Sequence, residues 1–387
     1  MRMAVLALVQ INVVFAFLLV VLFLHAYFNL NRKKTTNRLF MWIMGLTWLV
    51  LVMEILSVVF NAPNVKELIL FNKLVNVIGF AVSPVVPFLG YLFIREWLKR
   101  FQREKMKVNN IIIMPLIVNG IITLMSYNGG WAFRITSENI YERGPLFFVF
   151  TFVSFLYIGC YQYFIYKHRS RFNYGEIIIF SSFFILPTLA TIFQLAYPIY
   201  LATWKSIAIV IVITYIFIIN DQAYRDSLTG LGNRLAYEKI SQNAYNKKMN
   251  KLFVLYIDID DFKSINDLYG HCEGDMAIIL FADLLQRASP LKQKKIIRLG
   301  GDEFLIFFKE QKKEIVEAYI QNLAEGVRDF NSSGAKPYTF SFSYGIAGYP
   351  NDDEADSIVK LLEHADQRMY KHKQKRKNAK MNIESTN

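Results

Sequence analysis

The chain has 387 residues, of which 54% are hydrophobic and 33 are Phe, too apolar a balance for a soluble protein of this length. Its formal charge of +13 suits nucleic acid, anionic lipid or an anionic substrate, but no DNA- or RNA-binding motif occurs, so the sequence argues against nucleic acid as a partner. The two cysteines, Cys160 in an apolar run and Cys272 in the polar half, exclude a disulfide framework and suit a reducing cytosol for that half.

Apolar runs crowd the region before about Asn220. A helix crossing hydrocarbon needs about 20 mostly apolar residues. Seven stretches qualify: 4–30, 39–60, 74–94, 111–126, 146–166, 177–197 and 201–219. The fourth is short and the last is interrupted by Trp204 and Lys205, so a count of six competes. Backbone polar groups in lipid must bond within their own segment, which makes each stretch helical. Arg32, Lys33, Lys34 and Arg38 follow the first stretch; Arg95, Lys99, Arg100, Arg103, Lys105 and Lys107 follow the third; Lys167, Arg169 and Arg171 follow the fifth. The alternate loops carry fewer cations, which places the N-terminus outside and the end of the seventh span in the cytoplasm. A cleaved signal peptide is a poor reading of the first stretch, because the run is too long and its basic flank is on the wrong side. The longest outer loop, 127–145, holds Trp131, Phe133 and Tyr141, as interface anchors or as part of a ligand mouth. Glu54 lies within the second stretch, either as a sensor of a ligand or proton or close enough to the outer surface to stay wet.

No Gly/Ser/Pro linker follows; residues 220–225 form a short connector, so movement of the last membrane helix can reach the polar half without a flexible spacer. Residues 226–387 then interleave helices and strands. Periodicity predicts helices over 234–246, 273–287, 313–330 and 356–373, and strands over 252–259, 296–299, 304–308 and 339–347. The fold class is an N-terminal all-α transmembrane bundle (1–219) followed by a C-terminal α+β domain (226–387).

Two acidic clusters carry the chemistry. Asp258-Ile259-Asp260-Asp261-Phe262-Lys263 ends a buried apolar strand, and Gly300-Gly301-Asp302-Glu303-Phe304 forms a hairpin tip. Hard carboxylate oxygens are what Mg²⁺ takes together with substrate phosphates, and glycines let a nucleotide approach the main chain. Either cluster alone reads equally well as a solvated acidic turn; the pair favours a metal–nucleotide site.

Arg298-Leu299-Gly300-Gly301-Asp302-Glu303-Phe304 resembles the signature of the GGDEF family. The resemblance extends through the opening Asp226-Ser227-Leu228-Thr229-Gly230-Leu231-Gly232-Asn233-Arg234, through Asp258 to Asn266 and Asp267, through Gly270-His271-Cys272-Glu273-Gly274-Asp275, and through Ala365-Asp366 with Met369, Tyr370 and Lys373. It covers 226–378, and five ordered motifs at the family spacing make it specific.

This resemblance implies a palm-like nucleotidyl cyclase fold and a membrane-bound diguanylate cyclase making cyclic di-GMP from two GTP. It implies that Asp258, Asp302 and the Ile259 carbonyl hold Mg²⁺, with Mn²⁺ as the alternative. Glu303 is expected beside the metal and the ribose, with Arg298 stabilising charge. Asn266 and Asp275 are expected at the guanine edge, and Phe262, Lys263, Lys373 and Lys377 at the substrate, the lysines on its phosphates. Each domain holds one GTP, so catalysis requires a homodimer. The lipid bilayer and a signal ligand at the membrane region are the other expected partners, and the location implied is the cytoplasmic membrane of a bacterium. His271 reads more readily as a structural hydrogen bond than as a base, and Asp226 with Arg234 more readily as a lock on the opening turn than as substrate contacts.

The sequence departs from the family twice. The product-feedback RxxD places hold Leu291 and Lys294, so inhibition through that site is not expected. The closing Gly-Arg-Asn reads Arg376-Lys377-Asn378, and Lys377 keeps the charge but not the bidentate fork. No Glu-Ala-Leu phosphodiesterase signature occurs. A domain that binds GTP or a partner without turnover is the alternative, although such receptors usually lose a metal carboxylate; a transporter with a regulatory tail lacks support in any repeated half.

Overall fold

A computed structural model describes residues 2–99, 110–196, 202–245, 252–289, 294–309, 312–349 and 358–384. The chain folds as two units, Met1–Ile219 and Asn220–Asn387.

The first unit is helical: α1 (Arg2–Asn29), α2 (Thr35–Phe60), α3 (Ile69–Val82), α4 (Val85–Lys99), α5 (Met114–Gly129), α6 (Phe148–Lys167), α7 (Tyr174–Ala196) and α8 (Thr203–Ala223), the last running four residues past the unit boundary. Among the described residues seven segments are long and apolar enough to cross a membrane, and the protein is a multi-pass membrane protein. The third expected span differs in detail. It runs from Lys66 to Lys99 and is two helices, α3 and α4, parted at Ser83-Pro84. Proline lacks an N–H, so the helical hydrogen-bond ladder cannot continue through Pro84, which accounts for the break although Ser83 keeps a helical backbone. Arg95, expected in a loop, instead lies 7% exposed within α4 with its guanidinium 5.5 Å from the centre of the Tyr91 ring. The cations expected at 100–107 lie outside the described residues.

The loop expected to be irregular contains a small hairpin, β1 (Phe133–Ile135) and β2 (Tyr141–Arg143). Its turn is fixed by Asn139, at φ 59° and fully buried, whose Nδ2 donates to the carbonyls of Phe60 (2.7 Å) and Ala62 (3.0 Å) and whose Oδ1 accepts from Asn72 (3.0 Å). Asparagine tolerates this left-handed backbone, and its amide gives a second donor to two carbonyls where α2 ends, which also accept from the Ala62 and Val65 N–H groups. The loop aromatics divide: Phe133 is buried and stacks on Phe80 at 5.5 Å, while Trp131 is 45% exposed, as an interface anchor would be.

The second unit is an antiparallel sheet of order β4-β5-β3-β6, with β3 (Leu252–Ile259), β4 (Lys294–Gly300), β5 (Glu303–Lys309) and β6 (Phe342–Tyr349). Its helices are α9 (Arg234–Tyr245), α10 (Phe262–Tyr269), α11 (His271–Arg287), α12 (Lys313–Ser332) and α13 (Ile358–Glu384). Side chains alternate between the faces of a strand. Phe253, Leu255, Ile257 and Ile259 therefore pack with α11 and α12, whereas Leu252 and Val254 pack with Leu361, Leu362 and Ala365 of α13. Asp258 follows Leu252 and Val254 in that alternation and so stands on the α13 face. The short helix α10 had no separate expectation, and α13 runs past the expected end at residue 373.

Candidate active site

The opening turn comes first in the chain. Asp226 Oδ1 accepts from the Thr229 backbone N–H (2.9 Å) and hydroxyl (2.7 Å), and Arg298 Nη1 donates to both oxygens of Asp226 at 3.1 and 3.3 Å. Burial would raise the Asp226 carboxyl; the Thr229 hydrogen bonds and the Arg298 guanidinium outweigh it and hold the group below the usual aspartate range. Asp226 thus locks the turn, as one reading of the sequence had it. Arg234 does not join it: it is 79% exposed and lies 3.8 Å from Glu238. Sequence reasoning missed Arg225, which grips Asp221 through Nε and Nη2 (both 2.9 Å) and donates to the Gly230 carbonyl (3.0 Å). Its signal was the i,i+4 acid–arginine spacing.

The two acidic clusters meet. In the β3–β5 register Asp258 lies opposite Glu303, and the Ile259 N–H donates to the Asp302 carbonyl at 3.3 Å, tying the hairpin tip to the end of β3. The tip is a two-residue connection, with Gly301 at φ 52° in its first position, where such hairpins call for glycine. Arg298 Nε donates to the Gly301 carbonyl (3.0 Å), so one guanidinium joins the signature turn to the opening turn. Asp258 is 7% exposed and Ile259 is buried.

Lys373 Nζ donates to Asp258 Oδ1 at 2.5 Å. The neighbouring Asp260 accepts from the buried Ser343 hydroxyl (2.7 Å) and lies 3.5 Å from Arg376 Nη1. Burial, together with the charges of Asp302 and Asp260, raises the Asp258 carboxyl against its bond to Lys373. Burial and the charges of Asp258, Asp302 and Asp366 likewise raise Glu303, despite a hydrogen bond from Tyr256. Burial alone would lower Lys373, but Asp258, Asp302 and Asp260 more than offset it and hold it above the usual lysine value. Carboxylates that raise one another in this way form a local excess of negative charge, a hard-oxygen environment suited to a divalent cation. Among the described residues no three His, Cys, Asp or Glu side chains are arranged to hold a metal by themselves. Tyr256 was also missed; it stands two residues before Asp258 and so shares its face.

The remaining expected residues surround this edge. Asp261, at φ 54°, turns the chain sharply into α10, whose first residue Phe262 packs against the core with Lys263 exposed beside it. Asn266 on α10 is half-buried against Gly274 of α11, where a Cβ would collide with its side-chain amide; Asp275, the next residue, is exposed. Lys377 is exposed on α13 one turn beyond Lys373, on the same helical face. His271 is exposed at the first position of α11 and makes no side-chain hydrogen bond among the described residues, unlike the structural bond expected.

At the feedback places, Leu291 lies outside the described residues. Lys294 turns inward: its Nζ donates to the Gln286 carbonyl (3.1 Å) and to that of Ser289, and lies 4.8 Å from the centre of the Tyr319 ring. Burial pushes its amine down to about 8.

A family model described as diguanylate cyclase, GGDEF domain, matches residues 223–379. Residues 223–379 of the chain thus carry a GGDEF domain. The diguanylate cyclase DgcP of Escherichia coli K12 is 33% identical over 161 residues, 40% of this chain and 46% of that protein. A membrane protein of Staphylococcus aureus strain USA300 is 33% identical over 168 residues, 42% of this chain and 46% of that one. Among solved structures, the isolated GGDEF domain of YfiN from Pseudomonas aeruginosa is 32% identical, with 39% of this chain and 89% of that one covered and a TM-score of 0.35. The chain spans less than half the length of the curated relatives it matches.

Proposed function

We propose that the protein is a membrane-bound diguanylate cyclase, condensing two GTP into cyclic di-GMP and two pyrophosphates under the control of its membrane region. The observation that carries this reading is the β3–β5 register, which sets Asp258 opposite Glu303 with the Asp302 turn bonded to Ile259 N–H. The name of DgcP and the GGDEF family description support it.

Asp258, Asp302 and the Ile259 carbonyl would hold Mg²⁺, or Mn²⁺ in its place. Bound there, the ion neutralises the triphosphate and lowers the pKa of the attacking 3′-hydroxyl. Glu303 would stand beside the metal and the ribose. Asp275 accepts from guanine N1–H and N2–H₂, and Asn266 bonds O6 or N3, a pattern adenine does not present. Phe262, packed against the core at the start of α10, would support the base, and Lys263, Lys373 and Lys377 would meet the phosphates as cations. Arg298 acts as a positioning residue, because its guanidinium already bridges Asp226 and the Gly301 carbonyl. In each half-reaction a 3′-oxygen attacks the α-phosphorus of the other GTP. The bond from that phosphorus to the β-phosphate bridge breaks and pyrophosphate leaves. One domain holds one GTP, so two domains meet antiparallel in a homodimer. Product inhibition through the RxxD places is not expected, since Lys294 turns into the fold.

The basic loops support a bacterial cytoplasmic membrane location, with the N-terminus outside and the GGDEF domain in the cytoplasm. The test is to give the full chain, in nanodiscs, Mg²⁺ and GTP and follow the nucleotide by mass. Cyclic di-GMP, lost in Asp302→Ala, supports the cyclase; GTP bound without turnover overturns it in favour of a GTP-binding receptor.

A further inference from the structure

The membrane unit holds a half-open cavity of about 640 Å³. It is lined by the second half of α2, the second half of α3, the start of α4, the first half of α6, the second half of α7 and the start of α8, with Tyr141 and Arg143 of the hairpin. These segments all lie toward the end of the bundle that carries the hairpin. The volume is that of a small-molecule site. The wall is mostly apolar and carries several aromatic side chains, among them Phe80, Phe147, Phe150, Phe155, Phe183 and Trp204.

The polar groups of the wall are mostly committed to the protein itself. Ser57 donates to Asn76 Oδ1 (3.2 Å), Ser83 to the Gly79 carbonyl (2.6 Å), Ser154 to the Phe150 carbonyl (2.8 Å) and Tyr161 to the Phe180 carbonyl (3.0 Å). Gln194 Oε1 accepts from Ala202 N–H, Thr203 N–H and the Thr203 hydroxyl. Glu54 differs. Its Oε2 accepts from the buried Asn12 (2.9 Å), and its other oxygen has no hydrogen-bond partner among the described residues. Lys205 acts on it electrostatically, yet no cation lies within 4.0 Å of it among the described residues. The other charged lining residue, Arg143, has its guanidinium 4.6 Å from the centre of the Phe147 ring.

A carboxylate at membrane depth is expensive unless a cation or hydrogen-bond donor meets it. Aromatic faces with such a carboxylate are the surroundings that select an organic ammonium. We propose that this cavity binds an amphipathic organic cation, with its ammonium head on the open oxygen of Glu54 and its apolar body against the aromatic wall. An amine meets both features, an alcohol meets only the wall, and a carboxylate is repelled by Glu54. This inference rests on the membrane-spanning reading and needs no cyclase activity, so its failure and that of the proposed function are distinguishable.

The experiment uses the full chain in nanodiscs and three probes of one body: 4-phenylbutylamine, 4-phenylbutanol and 4-phenylbutanoate. Binding is read as a saturable rise in melting temperature and a change in tryptophan fluorescence, since Trp204 lines the cavity. The amine is expected to bind at least about tenfold tighter than the alcohol, and the carboxylate not at all. Glu54→Gln should bring the amine down to the affinity of the alcohol, and Ser154→Phe, which fills the cavity, should abolish both. Equal binding of amine and carboxylate, an undiminished amine affinity in Glu54→Gln, survival of binding in Ser154→Phe, or no saturable amine effect overturns the proposal. If either variant fails to fold, the wild-type ranking of the three probes decides.

Discussion

The two units of this protein treat polar groups in opposite ways. In the membrane unit the outward residues are large and apolar; Val14, Phe17, Phe28, Phe148 and Phe152 are each 64% exposed or more. Many polar side chains turn inward onto one another: Ser57 with Asn76, Asn72 with Asn139, and Trp97 Nε1 with the buried Glu176 at 3.0 Å. In the GGDEF unit apolar side chains fill both faces of a sheet and the carboxylates gather where β3 ends and β5 begins. Surroundings decide the difference. Lipid offers no hydrogen bonds, so polar groups there must find protein partners. Water and a charged substrate reward carboxylates at the end of a sheet. A polar residue in the first unit therefore reads as architecture or as a ligand contact, and a cluster of them in the second reads as chemistry.

The sharpest way to break this comparison is at the sheet end. Asp258→Asn keeps the shape but removes a charge expected on the metal; product formation by the full chain should fall by about a thousandfold or more, measured by mass. Retained turnover would move the chemistry elsewhere. The next largest effect falls in the membrane unit. Asn139→Ala removes the side-chain amide shared by the Phe60 and Ala62 carbonyls and leaves the buried Asn72 amide without its acceptor, which should cost about 2–4 kcal/mol and appear as a lower melting temperature in detergent with little change in GTP affinity.

Arg298→Met tests the join between the opening turn and the signature turn. That pair is only 13% and 20% exposed, so its loss at pH 7 should cost about 2 kcal/mol in thermal melts. Because Asp226 is held below its ordinary value, this stabilisation is complete above pH 3.8 and is lost as pH falls below it through the lower folded value. The gap between variant and wild type should therefore close in acid; a gap that stays open would assign the cost to packing. Lys377→Arg restores a forked cation one helical turn beyond Lys373 and should lower the KM for GTP by about two- to fivefold with kcat unchanged. The smallest effect is expected for Arg234→Ala, within about 0.5 kcal/mol, since its pair is exposed.

Much was legible in order along the chain. Long apolar runs give the membrane segments because hydrocarbon demands a minimum length of helix, and strand β3 was read with its observed bounds because a buried strand is a continuous β-branched and aromatic run. The signature motifs were legible because glycine and aspartate at a hairpin tip do what few other residues can. What tertiary structure alone decided was pairing across distance. Lys373 on Asp258, Arg298 on Asp226, Ser343 under Asp260 and Asn139 in the end of α2 join residues 72 or more positions apart. No local period encodes such contacts, because they depend on which strand faces which and on the register between them. Arg298 shows the point: its residue type and motif suggested a role in charge stabilisation, and only the fold showed its guanidinium engaged by the opening turn.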